Sequence, residues 1–140
     1  MLIGIPPILG PDLLFTLRSM GHGDEIALVD GNYPAQDHAR RLVRADGHGV
    51  LALLQAILTV MPLETALRAA LNNDKTQAND FHRAVDAMVA RLSGQNVTPL
   101  DGADLYPRIR AAHTIVGTSE AALYGNVILR KGVVVLPATG

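Results

Sequence analysis

Short, uniformly apolar runs alternate along the chain with segments whose apolar residues recur at helical spacing. Pro11 and Asp12 open a segment in which Leu13, Leu14, Leu17 and Met20 fall on one helical face. Proline suits the first turn of a helix, and an early acid suits its dipole. Gly21 and Gly23 end it. Ile26 to Val29 is apolar and partly β-branched, which predicts a buried strand. Asp30, Gly31, Asn32 and Pro34 form a turn cluster directly after it. Residues 37–45 predict a short basic helix closed by Asp46-Gly47, residues 50–60 a buried helix, and residues 63–71 a helix by propensity. Residues 77–92 give the clearest amphipathic pattern, with Phe81, Val85, Met88, Val89 and Leu92 on one face and Gly94 as the stop. A further helix is expected over residues 104–112. Strands are expected at Thr114–Val116, Asn126–Leu129 and Val133–Leu136, the last two joined by a turn at Arg130-Lys131-Gly132. Helices alternating with buried strands predict a single α/β domain over residues 1–140, its largely parallel sheet flanked by helices.

Composition narrows what such a domain can do. The 140 residues are 49% hydrophobic and 18% charged, which excludes a disordered chain. Aromatics make up only 4%, with no Trp, so the core is Ala, Leu, Val and Ile, and stacking platforms for single-stranded nucleic acid are not expected. Twelve basic residues against thirteen acidic ones leave a net charge of −1, so no strong field draws in a phosphate backbone. So apolar and weakly charged a chain is expected to place some apolar area between subunits. The absence of cysteine excludes disulfides, thiolate metal sites and cysteine nucleophiles, and fits a cytoplasmic protein. The first residues have no basic region and their apolar stretch is broken by prolines, so they read as neither signal peptide nor membrane span. Val50 to Pro62, interrupted by Gln55 and Thr59, is expected to be a core helix.

Three segments could carry chemistry. His22 lies between Gly21 and Gly23, so little bulk keeps a substrate away. Imidazole titrates near pH 6.5 and can both accept and donate a proton, although a loop histidine can also simply face water. Asp30 is expected at the carboxyl end of a buried strand, where open α/β sheets bind ligands and where a carboxylate can hold sugar hydroxyls. The competing reading is a turn aspartate bonded to its own backbone. Tyr124, Gly125 and Asn126 combine neutral hydrogen-bonding groups with room for close backbone approach. Asp24 and Glu25 are adjacent strand residues and are not expected to converge. His38, His48, His82 and His113 show no metal-ligand spacing, so no metal is expected, and His82 beside the apolar stripe reads as structural. Arg40, Arg41 and Arg44, flanked by Asp37 and Asp46, read as a solvated or interfacial face.

Taken in order, these segments resemble one family. Met20-Gly-His-Gly-Asp-Glu-Ile26, followed by Asp30 and Pro34, resembles the start of the L-fucose mutarotase and D-ribose pyranase family. Arg44-Ala-Asp-Gly47 and Leu53-Leu-Gln-Ala-Ile57 are similar to its next blocks in the fucose branch, and Tyr124-Gly-Asn-Val-Ile-Leu-Arg-Lys-Gly-Val133 to its C-terminal signature. The ribose branch typically has Ala at the position of Gly125 and departs from the MGHGDEI segment, so the resemblance is to the fucose branch. It implies that His22 is the catalytic acid/base and that Asp30, Tyr124, Gly125 and Asn126 contact the substrate. Tyr106 and Arg108 match a further aromatic-basic stretch of the substrate site. The chain departs from the pattern in three places. Residues 100–104 lack the family's basic residue, Gln36 stands where a histidine is common, though His38 is close, and residues 63–74 are shortened, with a family strand where propensity says helix.

The implied activity is a cofactor-independent isomerase that opens and recloses the ring of L-fucose or a related monosaccharide. The alternatives are a D-ribose pyranase and a non-catalytic monosaccharide-binding module. The resemblance also implies a ring-like homo-oligomer, decameric in the family. Residues 24–29, fully extended, span roughly 20 Å at about 3.3 Å per residue. His22 and Asp30 would then lie at opposite ends of one strand, so the site is expected to be shared between subunits, the alternative being a shorter strand.

Overall fold

In the computed structural model, which describes residues 1–138, one six-stranded sheet divides the protein into two apolar layers. The elements run α1 (Pro11–Ser19), β1 (Glu25–Val29), α2 (Ala35–His38), β2 (Leu42–Ala45), α3 (Val50–Val60), β3 (Leu63–Ala69), α4 (Asp80–Ser93), β4 (Val97–Leu100), α5 (Gly102–Ala111), β5 (Thr114–Thr118) and β6 (Val127–Lys131). The strand order is β2-β5-β1-β6-β3-β4. The β2–β5, β5–β1 and β3–β4 pairs are parallel, and β6 is antiparallel to both β1 and β3. Five strands therefore run one way and β6 alone runs the other. The expected α/β fold with a largely parallel, helix-flanked sheet is what forms.

Strand periodicity sorts the side chains between the two layers. Ile26 and Leu28 of β1, Val127 and Leu129 of β6 and Ala66 of β3 face α1, α3 and α4. Ala27 and Val29, Ile128, and Leu67 and Ala69 face the layer of α2 and α5. Both faces of the central strands are thus covered, which is why their sequences read as unbroken apolar runs.

Three local expectations differ from the structure. Residues 37–45 are not one helix: α2 stops at His38, and Leu42–Ala45 form β2 on the parallel edge beside β5. Leu63–Ala69 form β3 despite their helix-forming composition. The family pattern was right here and propensity wrong, because pairing with β6 and β4 buries Ala66 through Ala69 on both sides. Val133–Leu136 form no strand. Chain pairing ends with Lys131, so Arg130 and Lys131 belong to β6 rather than to a turn, and Gly132 N–H donates to Pro62 O at 2.8 Å. β4 was not anticipated; its Pro99 interrupts a short, half-exposed segment.

Candidate active site

The carboxyl ends of the parallel strands open onto a cavity of about 620 Å³, within the usual range for small-molecule sites. Asp30 leaves β1, Tyr33 and His38 come from the turn and α2, Tyr106 and Arg110 from α5, and Tyr124 and Asn126 from the loop entering β6. The sheet ends here because the backbone is tied off by side chains. Asn126 Oδ1 accepts from Asp30 N–H at 2.9 Å. Asp30 Oδ1 accepts from Asn32 N–H at 3.0 Å and its Oδ2 from Gly125 N–H at 3.2 Å. Asp30 therefore closes the turn, as one reading expected, and its carboxylate also lines the cavity with lone pairs to spare. Among the described residues no hydrogen bond uses Asn126 Nδ2, which leaves two donors on the cavity wall.

Glycine at 125 is enforced by packing. A Cβ there would sit 2.8 Å from Ala122 O, 3.1 Å from Glu120 Cγ and 3.2 Å from Asp30 Cβ. Tyr124 before it is held in the left-handed region at φ 54°. Its carbonyl accepts from His82 Nε2 at 2.8 Å, and Leu123 O accepts from Asn79 Nδ2 at 3.0 Å. His82 is wholly buried, and its Nδ1 accepts from Asn79 N–H at 3.3 Å as part of the capping box that starts α4. That arrangement requires the neutral imidazole, and burial, the largest influence, holds the His82 pKa below 6.5. The structural role expected for His82 is thus real, and it serves the cavity loop. Glu120 braces the same loop: its carboxylate accepts from Ala122 N–H at 3.1 Å and caps α3 by accepting from Val50 N–H at 3.0 Å.

The other end of β1 is built differently. Gly23, at φ +89°, turns the chain into β1, and its N–H donates to Lys131 O at 2.9 Å. Asp24 carboxylate accepts from Gly21 N–H at 2.8 Å while Glu25 pairs with Arg108, and both line one cleft. His22 projects from this loop with its side chain 59% exposed, and its Nε2 lies 3.3 Å from the Glu64 carboxylate. Arg108 also belongs to this end. It makes a forked pair with Glu25, at 2.9 Å from Nε and 2.7 Å from Nη2, in a second cleft lined also by Arg40, Arg41, His113 and Arg130. Arg40 and Arg41 donate to the carbonyls of Ala111 and His113, and Arg44 pairs with Asp46.

The structure therefore brings together Asp30, Tyr106, Tyr124, Gly125 and Asn126, and leaves His22 and Arg108 at the opposite edge of the sheet. At about 3.3 Å per residue, the five residues of β1 alone separate the two by roughly 16 Å. Sequence reasoning missed Tyr33 and Arg110 and left His38 among the scattered histidines. Tyr33 and His38 follow the same buried strand as Asp30, which was the signal available. Among the described residues no group of three or more His, Asp or Glu converges as a metal site. No helix among them is long and apolar enough to cross a membrane.

A family model described as the RbsD / FucU transport protein family matches residues 3–134. The chain belongs to this family. Within it, the similarity lies with the fucose mutarotase branch. The fucose mutarotase of Homo sapiens is 37% identical over 145 residues, covering 95% of this chain and 94% of that protein. The L-fucose mutarotase of Haemophilus influenzae is 38% identical over 140 residues, covering 95% and 97%. Among solved structures, the fucose mutarotase of Streptococcus pneumoniae in complex with L-fucose superposes with a TM-score of 0.87 at 39% identity, covering 96% of this chain and all of that one.

Proposed function

We propose that this RbsD / FucU protein is a mutarotase, an isomerase that interconverts the anomers of L-fucose or a closely related monosaccharide. The carrying observation is the full-length similarity to fucose mutarotases, one of them solved with L-fucose, in a chain whose strand-end cavity is walled by Asp30, Asn126, Tyr106 and Tyr124. The chemistry asks for little more than those walls and a proton carrier. A base takes the proton of the anomeric hydroxyl while an acid protonates the ring oxygen. The ring C–O bond breaks, the free carbonyl rotates, and closure on its other face reverses both transfers. No electron is gained or lost.

In this reading His22 moves the proton, and the cavity residues bind. The spare lone pairs of Asp30 accept from sugar hydroxyls, Asn126 Nδ2 donates to them, and the Tyr106 ring covers an apolar face of the sugar. His22 reaches the cavity from a second copy of the chain, since its own cavity lies at the far end of β1. Arg108, committed to Glu25, supports the His22 end rather than holding sugar within its own subunit. Such a site needs a homo-oligomer, and we infer a closed, ring-like one. Exposed Val133 to Leu136 at 59%, 68%, 87% and 77%, with Phe15 at 75%, offer apolar area for it. The cytoplasm is the matching compartment for a chain without cysteine.

Magnetisation-exchange NMR on L-fucose, D-ribose and other monosaccharides tests the proposal. Accelerated exchange between the L-fucose anomers is expected. Exchange restricted to the pyranose and furanose forms of D-ribose would make the protein a pyranase. Binding without acceleration of any sugar would make it a binding module.

A further inference from the structure

The cavity contains a chain of polar contacts that the proton transfers above do not use. Tyr33 follows the Asp30 turn, His38 ends α2, and Arg110 lies in the last turn of α5. His38 Nε2 is 2.8 Å from Arg110 Nη2, and His38 Nδ1 is 2.9 Å from Tyr33 Oη. A guanidinium has five donors and nothing to accept with. His38 Nε2 must therefore be the acceptor, which makes the ring neutral and puts its hydrogen on Nδ1. Nδ1–H then donates to Tyr33 Oη. The phenol's own hydrogen has no partner among the described residues and belongs to a group lining the cavity.

The rest of the surroundings fix this arrangement. The Tyr33 ring stands edge-on to His38, with centroids 5.2 Å apart, and lies 6.3 Å from the Tyr106 ring. Among the described residues Asp37 is the carboxylate within 4 Å of His38, at 3.8 Å from Nε2, farther than the guanidinium that occupies that nitrogen. Burial, outweighing the nearby Arg110 charge, raises the Tyr33 phenol above its usual 10.0, so it stays protonated at neutral pH.

We propose that Tyr33 is a specificity-determining contact that donates its phenolic hydrogen to one ring hydroxyl of the bound monosaccharide, with His38 and Arg110 as the positioning residues that aim it. This rests on the cavity being the sugar site. Asp30 and the Tyr124–Asn126 loop are then one side of the cavity, and the Tyr33–His38–Arg110 chain reads the sugar from the other.

The test pairs Tyr33→Phe with L-fucose and its singly deoxygenated ring analogues in the exchange assay. Tyr33→Phe raises KM for L-fucose about 3- to 10-fold, the size of one neutral hydrogen bond, and leaves kcat nearly unchanged. For the analogue lacking the contacted hydroxyl, the substitution costs nothing. His38→Leu behaves like Tyr33→Phe, while His38→Asn, whose amide can still donate to Oη, recovers most of the loss. In ¹⁵N spectra of the wild type, His38 shows a protonated Nδ1 and a bare Nε2, and Arg110→Met mixes the two tautomers. An unchanged KM in Tyr33→Phe, a loss equal for every analogue, or a protonated Nε2 in the wild type would each overturn the inference while leaving the mutarotase reading intact. A wild type that neither binds nor exchanges any sugar would instead overturn that reading, and this inference with it.

Discussion

The two ends of β1 differ in almost every physical respect. At the Asp30 end, buried polar side chains are tied to backbone groups of the Asp30–Asn32 turn and of the Tyr124–Gly125 loop, which hold the cavity wall in place. At the other end, His22 is mostly exposed, flanked by glycines and in ion-pair contact with Glu64. In the proposed function the first end binds, and its groups are fixed before a ligand arrives. The second, in the same proposal, reaches into another copy. A proton carrier gains from a desolvated, ordered setting, and within one subunit His22 has neither. The contrast explains why a division of labour between copies is the natural reading of this monomer.

If the contrast is correct, the two ends fail in different ways. His22→Ala should show the largest effect, slowing anomer exchange by about 10²- to 10⁴-fold, the range for removing a general acid/base. Sugar affinity, read by titration, should change little; a comparable loss of affinity would place His22 among the binding groups. His82→Ala acts on the binding end without touching it. It leaves the Tyr124 carbonyl and the Asn79 N–H unpaired and opens a cavity in the core, so urea unfolding should show a loss of about 2–4 kcal/mol. Weaker sugar binding should accompany it, because the Tyr124 loop loses its anchor. Full retention of both stability and affinity would mean that α4 does not position the cavity.

Asp30→Asn should cost about 1.5–3 kcal/mol in sugar binding, the range for a hydrogen bond to a charged group. Calorimetry measures it, and kcat at saturating sugar should fall far less than in His22→Ala. The smallest effect concerns pH. His82 is held neutral, with its pKa below 6.5 chiefly through burial, and His113 shifts in the same direction for the same main cause. The unfolded chain binds more protons than the folded one once pH falls below about 6.5, so stability is fully present above that value and declines as pH drops through the folded-state pKa values. Urea midpoints between neutral and mildly acid pH should follow this slope, and His82→Gln should flatten it. A midpoint that rises on acidification would reverse the assigned protonation state.

How far the sequence carries depends on what decides each element. α1, α3 and α4 have apolar faces and stop signals that local chemistry writes directly, and they form close to where periodicity predicts them. β3 could not be read that way. Leu63 to Ala69 is a run of good helix formers, and only the neighbouring strands make it extended. β2 was hidden for a related reason, since Arg41 and Arg44 point outward and mask an edge strand as a basic helix. The site divides along the same line. Asp30 and Tyr124–Asn126 sit where a strand end and a glycine turn announce them. Tyr33 and Arg110 come near each other only because α2 and α5 lie in the same layer on one face of the sheet, and His38 acquires meaning only between them.

The central claim is that His22 of one copy serves the Asp30 cavity of another. Mixing two impaired variants, His22→Ala and Asp30→Asn, by joint unfolding and refolding tests it directly. Shared sites predict that about a quarter of the sites in a random mixture regain both intact groups, so at sugar concentrations well below the KM of Asp30→Asn, where both variants are slow, anomer exchange rises well above that of either variant alone. Activity of the mixture no greater than the average of the two separate variants would contradict the claim and return His22 to its own subunit's cavity.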